Sequence, residues 1–148
     1  GSMIAIGCDH AGYALKLEII KYLEENNFEY KDLGCDGTSC DYPVIATSVC
    51  KEIINGDCDK GILICGTGIG MSIAANKFKG IRAAVCSDYF SAKYTRLHND
   101  SNVICLGART IGAGLAVELV NIYLNSEFEG GRHKKRIDMF TDIETNNY

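Results

Sequence analysis

Short apolar runs alternate with stretches of helical periodicity along nearly the whole chain, and this alternation limits the fold more than any other feature. Met3 to Cys8 is an apolar run that ends in Asp9-His10-Ala11-Gly12. From Tyr13 to Asn26 the pattern turns helical, with Leu15, Ile19, Ile20 and Leu23 on one face, and Asn26-Asn27 stops it. Phe28 to Leu33 reads as a second, weaker strand. Pro43 suits the first turn of a helix that runs to about Asn55-Gly56. Gly61 to Cys65 is a short buried strand, followed by Gly66-Thr67-Gly68-Ile69-Gly70 and a helix through Asn76. Ile81 to Cys86 is the next strand, Asp88 to Leu97 is helical, and Val103 to Leu106 is the fifth strand. Ile111 to Leu124 is a strongly apolar helix; after the break at Glu129-Gly130-Gly131 a basic helix starts near Arg132, and the tail after Asp142 is expected to fray.

Strand followed by helix, repeated in this way, predicts an α/β fold: a three-layer α/β/α sandwich around a five-stranded parallel sheet, Rossmann-like. Apolar runs without polar alternation fit strands buried on both faces. In open parallel sheets ligands bind beyond the carboxyl ends of the strands. That rule gathers Asp9 and His10, Cys65 to Gly70, Ser87 and Asp88, and Gly107 and Arg109 along one edge.

Composition narrows the function. The chain has 148 residues, 47% of them hydrophobic and 23% charged, as expected of one ordered domain. A net charge of −4 argues against general binding of nucleic acid. No apolar run approaches the roughly 20 residues that cross a bilayer, so no membrane role is expected. Gly1-Ser2, ahead of Met3, reads as a cloning scar, with residues 3–148 forming the single domain; no signal peptide is visible, which points to the cytoplasm. Eight cysteines occur without a Cys-x-x-Cys pair, so most are expected to be reduced thiols rather than parts of a disulfide framework or a zinc site.

The glycine-rich loop is the strongest local signal. Glycines at 66, 68 and 70 leading into a helix expose successive N–H groups, a nest that suits a phosphate or an oxyanion. The spacing is not that of the dinucleotide fingerprint, and no Gly-Lys-Ser/Thr follows for a P-loop. The plainer alternative is that these glycines only turn the chain. Cys65, directly before the loop, is expected to lie where a helix N-terminus favours a thiolate, unless it is simply a buried strand-end cysteine. Thr67 brings a hydroxyl and an N–H near it. His10 follows the first strand; His98 ends a helix, where dipole pairing is the plainer reading. Three scattered histidines give no reason to expect a bound metal. Arg132 and Arg136 are four apart, on one helix face, and suit either a phosphate or solvent.

Taken together, Asp9-His10-Ala11-Gly12, Asp41-Tyr42-Pro43, Cys65 to Gly70, Ala74-Ala75-Asn76-Lys77, Gly80 to Ala84, His98-Asn99-Asp100 and Leu106-Gly107-x-Arg109 resemble the family of type B ribose-5-phosphate, allose-6-phosphate and galactose-6-phosphate isomerases. The resemblance covers Met3 to about Arg136. It implies strand order 2-1-3-5-4 and a cofactor-free aldose–ketose isomerisation through a cis-enediolate, with ribose 5-phosphate and ribulose 5-phosphate as the leading pair. It implies Cys65 as the base, the Gly66, Gly68, Ile69 and Gly70 stretch as the anion hole, His98 as the ring-opening group, and Asp9 with Thr67 assisting. His10, Arg109, Arg132 and Arg136 would hold the phosphate, and Tyr42 and Asn99 the sugar. Allose 6-phosphate or galactose 6-phosphate remain alternative substrates, and a non-catalytic phosphosugar- or nucleotide-binding module is the alternative of another class.

One expectation needs only the strand order along the chain. The helix after the fourth strand runs back from the site edge, so His98 and Asn99 at its end fall far from Cys65. If all three serve one sugar, the site is composite, and the chain works as a homodimer or homotetramer.

Overall fold

The computed structural model describes residues 3–148. Gly1 and Ser2, read as a scar, lie outside the described residues. Five strands, β1 (Met3–Cys8), β2 (Glu29–Asp32), β3 (Lys60–Cys65), β4 (Ala83–Val85) and β5 (Val103–Gly107), form one parallel sheet in the order β2-β1-β3-β5-β4. Helices α1 (Tyr13–Glu25), α4 (Tyr89–Leu97) and α5 (Ala113–Leu124) pack together on one face; α2 (Tyr42–Ile54) and α3 (Ile69–Ala75) cover the other. The strand order is the one implied by the resemblance, and the three-layer reading holds. No helix is long and apolar enough to cross a membrane among the described residues.

Burial explains which strands were easy to see. The central strands β1, β3 and β5 are covered on both faces, so Ile4, Ala5, Ile6, Ile62, Leu63, Ile64, Val103, Ile104 and Leu106 are all buried. The outer strands β2 and β4 are partly exposed and shorter than expected. Ile81 and Arg82 do not pair in β4: Arg82 N–H is bonded to the Asn102 side chain at 2.8 Å, and the strand begins at Ala83. On α1, Leu15, Ile19, Ile20 and Leu23 form the buried stripe that periodicity indicates.

Most cysteines are free as expected, but one pair is bonded, and one further expectation needs correction. Cys35 and Cys40 are disulfide-bonded, with Cα atoms 6.4 Å apart; Cys8, Cys50, Cys58, Cys65, Cys86 and Cys105 are free. The tail does not fray at Asp142: helix α6 (Arg132–Glu144) continues to Glu144, whose carboxylate accepts a 2.6 Å bond from Gly80 N–H. This last helix buries no residue of its own, which is why an apolar stripe does not announce it.

Two buried cations tie loops to the layers. Lys16 Nζ donates to Asp32 Oδ1 at 2.8 Å and to the Cys35 carbonyl at 2.6 Å. Arg96, with its side chain 8% exposed, donates to Asp100 Oδ1 at 2.9 Å, the Ser101 carbonyl at 2.7 Å and the Ser126 carbonyl at 3.3 Å. It thereby fixes the turn between α4 and β5. Arg96→Ala leaves the buried Ser101 carbonyl without this donor, and is expected to cost about 2–3 kcal/mol. Thermal unfolding should show this as a midpoint lower by about 5–10 °C.

Candidate active site

The carboxyl ends of β1, β3 and β5 converge on Cys65. Asp9 N–H donates to the Ile64 carbonyl at 3.1 Å, which sets Asp9 beside the end of β3. Its Oδ1 accepts from Ala11 and Gly12 N–H at 3.0 and 3.2 Å, capping a single 3-10 turn (His10–Gly12). His10, in that turn, is exposed.

Beyond the strands the loops after β3 and β5 are zipped together. Ala108 N–H donates to the Cys65 carbonyl at 2.8 Å and Arg109 N–H to the Gly66 carbonyl at 2.9 Å. This draws the Arg109 guanidinium over Gly66, where an added Cβ would lie only 3.2 Å from Nη1. Gly70 meets the Tyr42 ring in the same way, with a Cβ there 2.7 Å from Cε1. Both glycines therefore let a side chain of another element lie flat on the loop. Gly68, at φ +79°, takes the left-handed conformation that starts α3. Its N–H donates to Cys65 Sγ at 3.2 Å, so the sulfur sits inside the curl of the loop. Thr67 is exposed, and its hydroxyl accepts from Ile69 N–H at 3.2 Å. The first turn of α3 adds N–H groups that have no intrahelical partner.

The other free thiols lack this setting. Burial pushes Cys50 up to about 12 and Cys86 up to about 11. Burial also raises Cys8 and Cys58, and raises Cys105 well above the ordinary thiol range. These thiols stay protonated at neutral pH and act as small apolar side chains.

The remaining candidates form a second group. Asp88 caps the start of α4 at the site edge, its carboxylate accepting from Ser91 N–H at 2.7 Å. The helix then runs back, and His98 is its C-cap. The turn that follows reaches Asn102, whose carbonyl accepts from Gly61 N–H at 2.8 Å near the start of β3. Cys65 is the last residue of that same strand. Within one chain His98 and Cys65 thus stand at opposite ends of β3. Asn99 accompanies His98, and Arg132 and Arg136 lie on successive turns of α6, exposed.

Two residues of this group were not singled out in the sequence. Glu129 Oε1 lies 3.0 Å from His98 Nε2 and 3.8 Å from His133 Nε2, and the two imidazoles stack with centroids 4.0 Å apart and planes 11° apart. Burial, then the neighbouring His98 and Arg132, lowers the pKa of His133, so it is neutral at physiological pH. The i, i+4 spacing of Glu129 and His133 was the available signal. One ligand atom each of His98, Glu129 and His133 lies within 4.8 Å of the others, close enough to raise the question of a metal ion. Nearly parallel rings, however, send their ring-plane lone pairs side by side rather than to one point.

Comparison with known proteins identifies the family. The family model described as Ribose/Galactose Isomerase matches residues 4–140. Ribose-5-phosphate isomerase B of Escherichia coli is 49% identical over 142 residues, covering 95% of each chain. The structure of Clostridium thermocellum ribose-5-phosphate isomerase B superposes with a TM-score of 0.95 at 46% identity, covering 99% of each chain. That of Mycoplasma genitalium ribose-5-phosphate isomerase B, with bound ribulose-5-phosphate, gives 0.92 at 40% identity, covering 97% of this chain and 96% of that one. By its sequence along nearly its whole length and by its fold, the chain belongs to the ribose/galactose isomerase family.

Proposed function

We propose that residues 3–148 form one aldose–ketose isomerase domain that interconverts ribose 5-phosphate and ribulose 5-phosphate. The observation that carries this reading is the sulfur of Cys65 held at the end of β3 by the Gly68 amide, between Asp9 and Arg109, in a family with a member solved around ribulose-5-phosphate.

The chemistry follows from the placement. Cys65, as thiolate, takes the proton from C2 of the open-chain aldose. The C2–H electrons form the C1=C2 bond, and charge gathers on O1. Amides of Gly66, Gly68, Ile69 and Gly70 stabilise that enediolate, and preorganised donors of this kind contribute about 3–4 kcal/mol each. The proton returns to C1 and O2 becomes the ketone, with Asp9 and Thr67 moving protons between the oxygens. Nothing is oxidised or reduced overall, so the step calls for no redox cofactor. Tyr42 and Asn99 bind sugar hydroxyls; His10, Arg109, Arg132 and Arg136 bind the phosphate, whose remote binding energy holds C2 against the base.

His98 opens the furanose ring, and it does so from a second copy of the chain. Three observations support a homodimer or homotetramer with composite sites. His98 and Cys65 occupy opposite ends of β3. Ile69, Ile73, Val85, Tyr89 and Phe90 leave an apolar surface exposed beside the edge strand β4. Helix α6, which carries Arg132 and Arg136, has no fully buried residue on its own chain.

The test is turnover by the purified protein in EDTA with ribose 5-phosphate, allose 6-phosphate and galactose 6-phosphate. Formation of ribulose 5-phosphate at a kcat of about 1–10³ s⁻¹ is the expected result. Turnover of a hexose phosphate alone would reassign the substrate. Thermal stabilisation by phosphosugars without any turnover would instead indicate a binding module.

A further inference from the structure

We propose that Asp100 is the positioning residue of the turn that carries His98 and Asn99: held between the guanidiniums of Arg82 and Arg96, its carboxylate fixes where that turn presents the two side chains. The inference rests on the isomerase reading above and on the roles of His98 and Asn99 within it.

The turn closes α4 with the backbone pattern of a helix C-cap. His98 N–H bonds back to the Tyr94 carbonyl at 2.8 Å, and Ser101 N–H reaches the Thr95 carbonyl at 3.1 Å. Asp100, between them, has φ +47°, the left-handed conformation that such a turn demands. Glycine, or less often asparagine, is the usual residue there. An aspartate at this point meets two local penalties. Its Cβ crowds the left-handed backbone. Its negative charge lies at the carbonyl end of a helix, where the dipole favours a cation.

Contacts from two other places offset these penalties. Arg96, within α4, donates through Nη1 to Asp100 Oδ1 at 2.9 Å. Arg82, from the segment before β4, donates through Nη2 to Oδ2 at 3.4 Å and through Nε to the Asp100 carbonyl at 2.7 Å. Both cations are anchored in turn. Arg96 also holds the Ser101 and Ser126 carbonyls. The Arg82 carbonyl accepts from Asn102 N–H at 2.9 Å, and its N–H donates to Asn102 Oδ1 at 2.8 Å. Arg96 is buried and Arg82 and Asp100 are half-buried, so water screens these pairs less than it screens pairs on the open surface. His98 and Asn99 directly precede Asp100, so where they stand follows from this anchor. A residue that breaks local rules and is held by distant partners marks a functional constraint.

Asp100 touches no sugar in this scheme. It acts through His98 and Asn99, so its loss should slow opening of the furanose more than proton transfer at Cys65. Ribulose 5-phosphate separates the two steps. Its C2 is the carbonyl and its C5 oxygen carries the phosphate, so no hydroxyl is placed to close a furanose. Exchange of its C1 proton with solvent needs only the base and the enediolate.

Asp100→Gly is the decisive variant, because glycine takes the left-handed turn readily and only the carboxylate is lost. Both arginines keep their carbonyl partners, so the melting midpoint should stay within about 5 °C of wild type. Turnover of ribose 5-phosphate should fall by about 10–100-fold in kcat/KM. Deuterium uptake at C1 of saturating ribulose 5-phosphate in D2O, followed by proton NMR, should fall by less than about threefold. Asp100→Asn, which tolerates the turn and keeps an oxygen acceptor, should recover part of the ribose 5-phosphate activity.

An Asp100→Gly enzyme that turned over ribose 5-phosphate as fast as wild type would overturn the proposal. Equal losses in both assays would make Asp100 merely structural and overturn it as well. If Asp100→Gly melts lower than expected, the same comparison is made on Asp100→Asn, and equal losses there have the same meaning. Failure of the isomerase reading looks different: the wild type itself would give neither turnover nor deuterium uptake, and the proposal would fall with that reading.

Discussion

Cys65→Ala is expected to lower kcat for ribose 5-phosphate by about 10²–10⁴-fold, the range for loss of a positioned proton-transfer group. KM should change by less than about threefold, because the group acts only in the transition state. The residues that would hold the sugar phosphate, Arg109 and Tyr42 among them, stay in place on other elements. The substitution also removes the acceptor of the Gly68 N–H bond at 3.2 Å and a small buried side chain. That costs about 1–2 kcal/mol of stability, too little to unfold a domain. Steady-state kinetics and a melting curve on the same preparation therefore separate the two effects. A variant that kept a tenth of wild-type kcat would remove Cys65 from the role of base.

Gly107→Ala is expected to damage both stability and activity, through contact rather than chemistry. Gly107 pairs in register with Cys65 at the end of β5. A Cβ there would lie 2.7 Å from the backbone carbon and oxygen of Thr67. Backbone cannot turn aside as a flexible side chain can, so the whole Cys65–Gly70 loop must shift. Overpacking of this kind costs about 1–3 kcal/mol. A displacement near 1 Å at the reacting groups reduces rate by about 10²-fold. Gly114→Ala is the matched control. It lies in the first turn of α5, where an added Cβ meets nothing within 4 Å. It should stabilise the protein by up to about 0.5–1 kcal/mol with no effect on turnover.

The central strands were legible because burial on both faces keeps polar residues out of their interiors, as Ile62-Leu63-Ile64 illustrates. The sheet margins were less so. β2 reads Glu-Tyr-Lys-Asp, and β4 has only three residues, because an outer strand has one neighbour and one exposed edge. Periodicity carries no strand order; the order came from the resemblance. The Cys35–Cys40 bond was missed because a separation of five residues says nothing about whether the loop folds back to bring the two Cα atoms within 6.4 Å.

The Cys65 group was legible because strand ends in a parallel sheet share one edge. Asp9, Gly66 to Gly70 and Arg109 could therefore be grouped before any coordinates. Glu129 and His133 were not, since their meeting with His98 depends on where the chain returns after α5. The split of the candidate residues between two ends of β3 was the most consequential feature the topology made readable. His98, at the end of a helix antiparallel to the strands, had to fall opposite Cys65.

Complementation between two inactive variants tests that split most directly. Cys65→Ala and His98→Ala chains would be mixed, exchanged by mild denaturation and refolding, and assayed with ribose 5-phosphate. In a mixed dimer one site receives both substitutions and the other receives neither. Each mixed dimer should therefore regain about half of wild-type activity, and a random mixture about a quarter. Mass spectrometry of the intact assembly would establish the proportion of mixed species. Mixed dimers that form in the expected proportion and stay as inactive as their parents would contradict a site shared between copies.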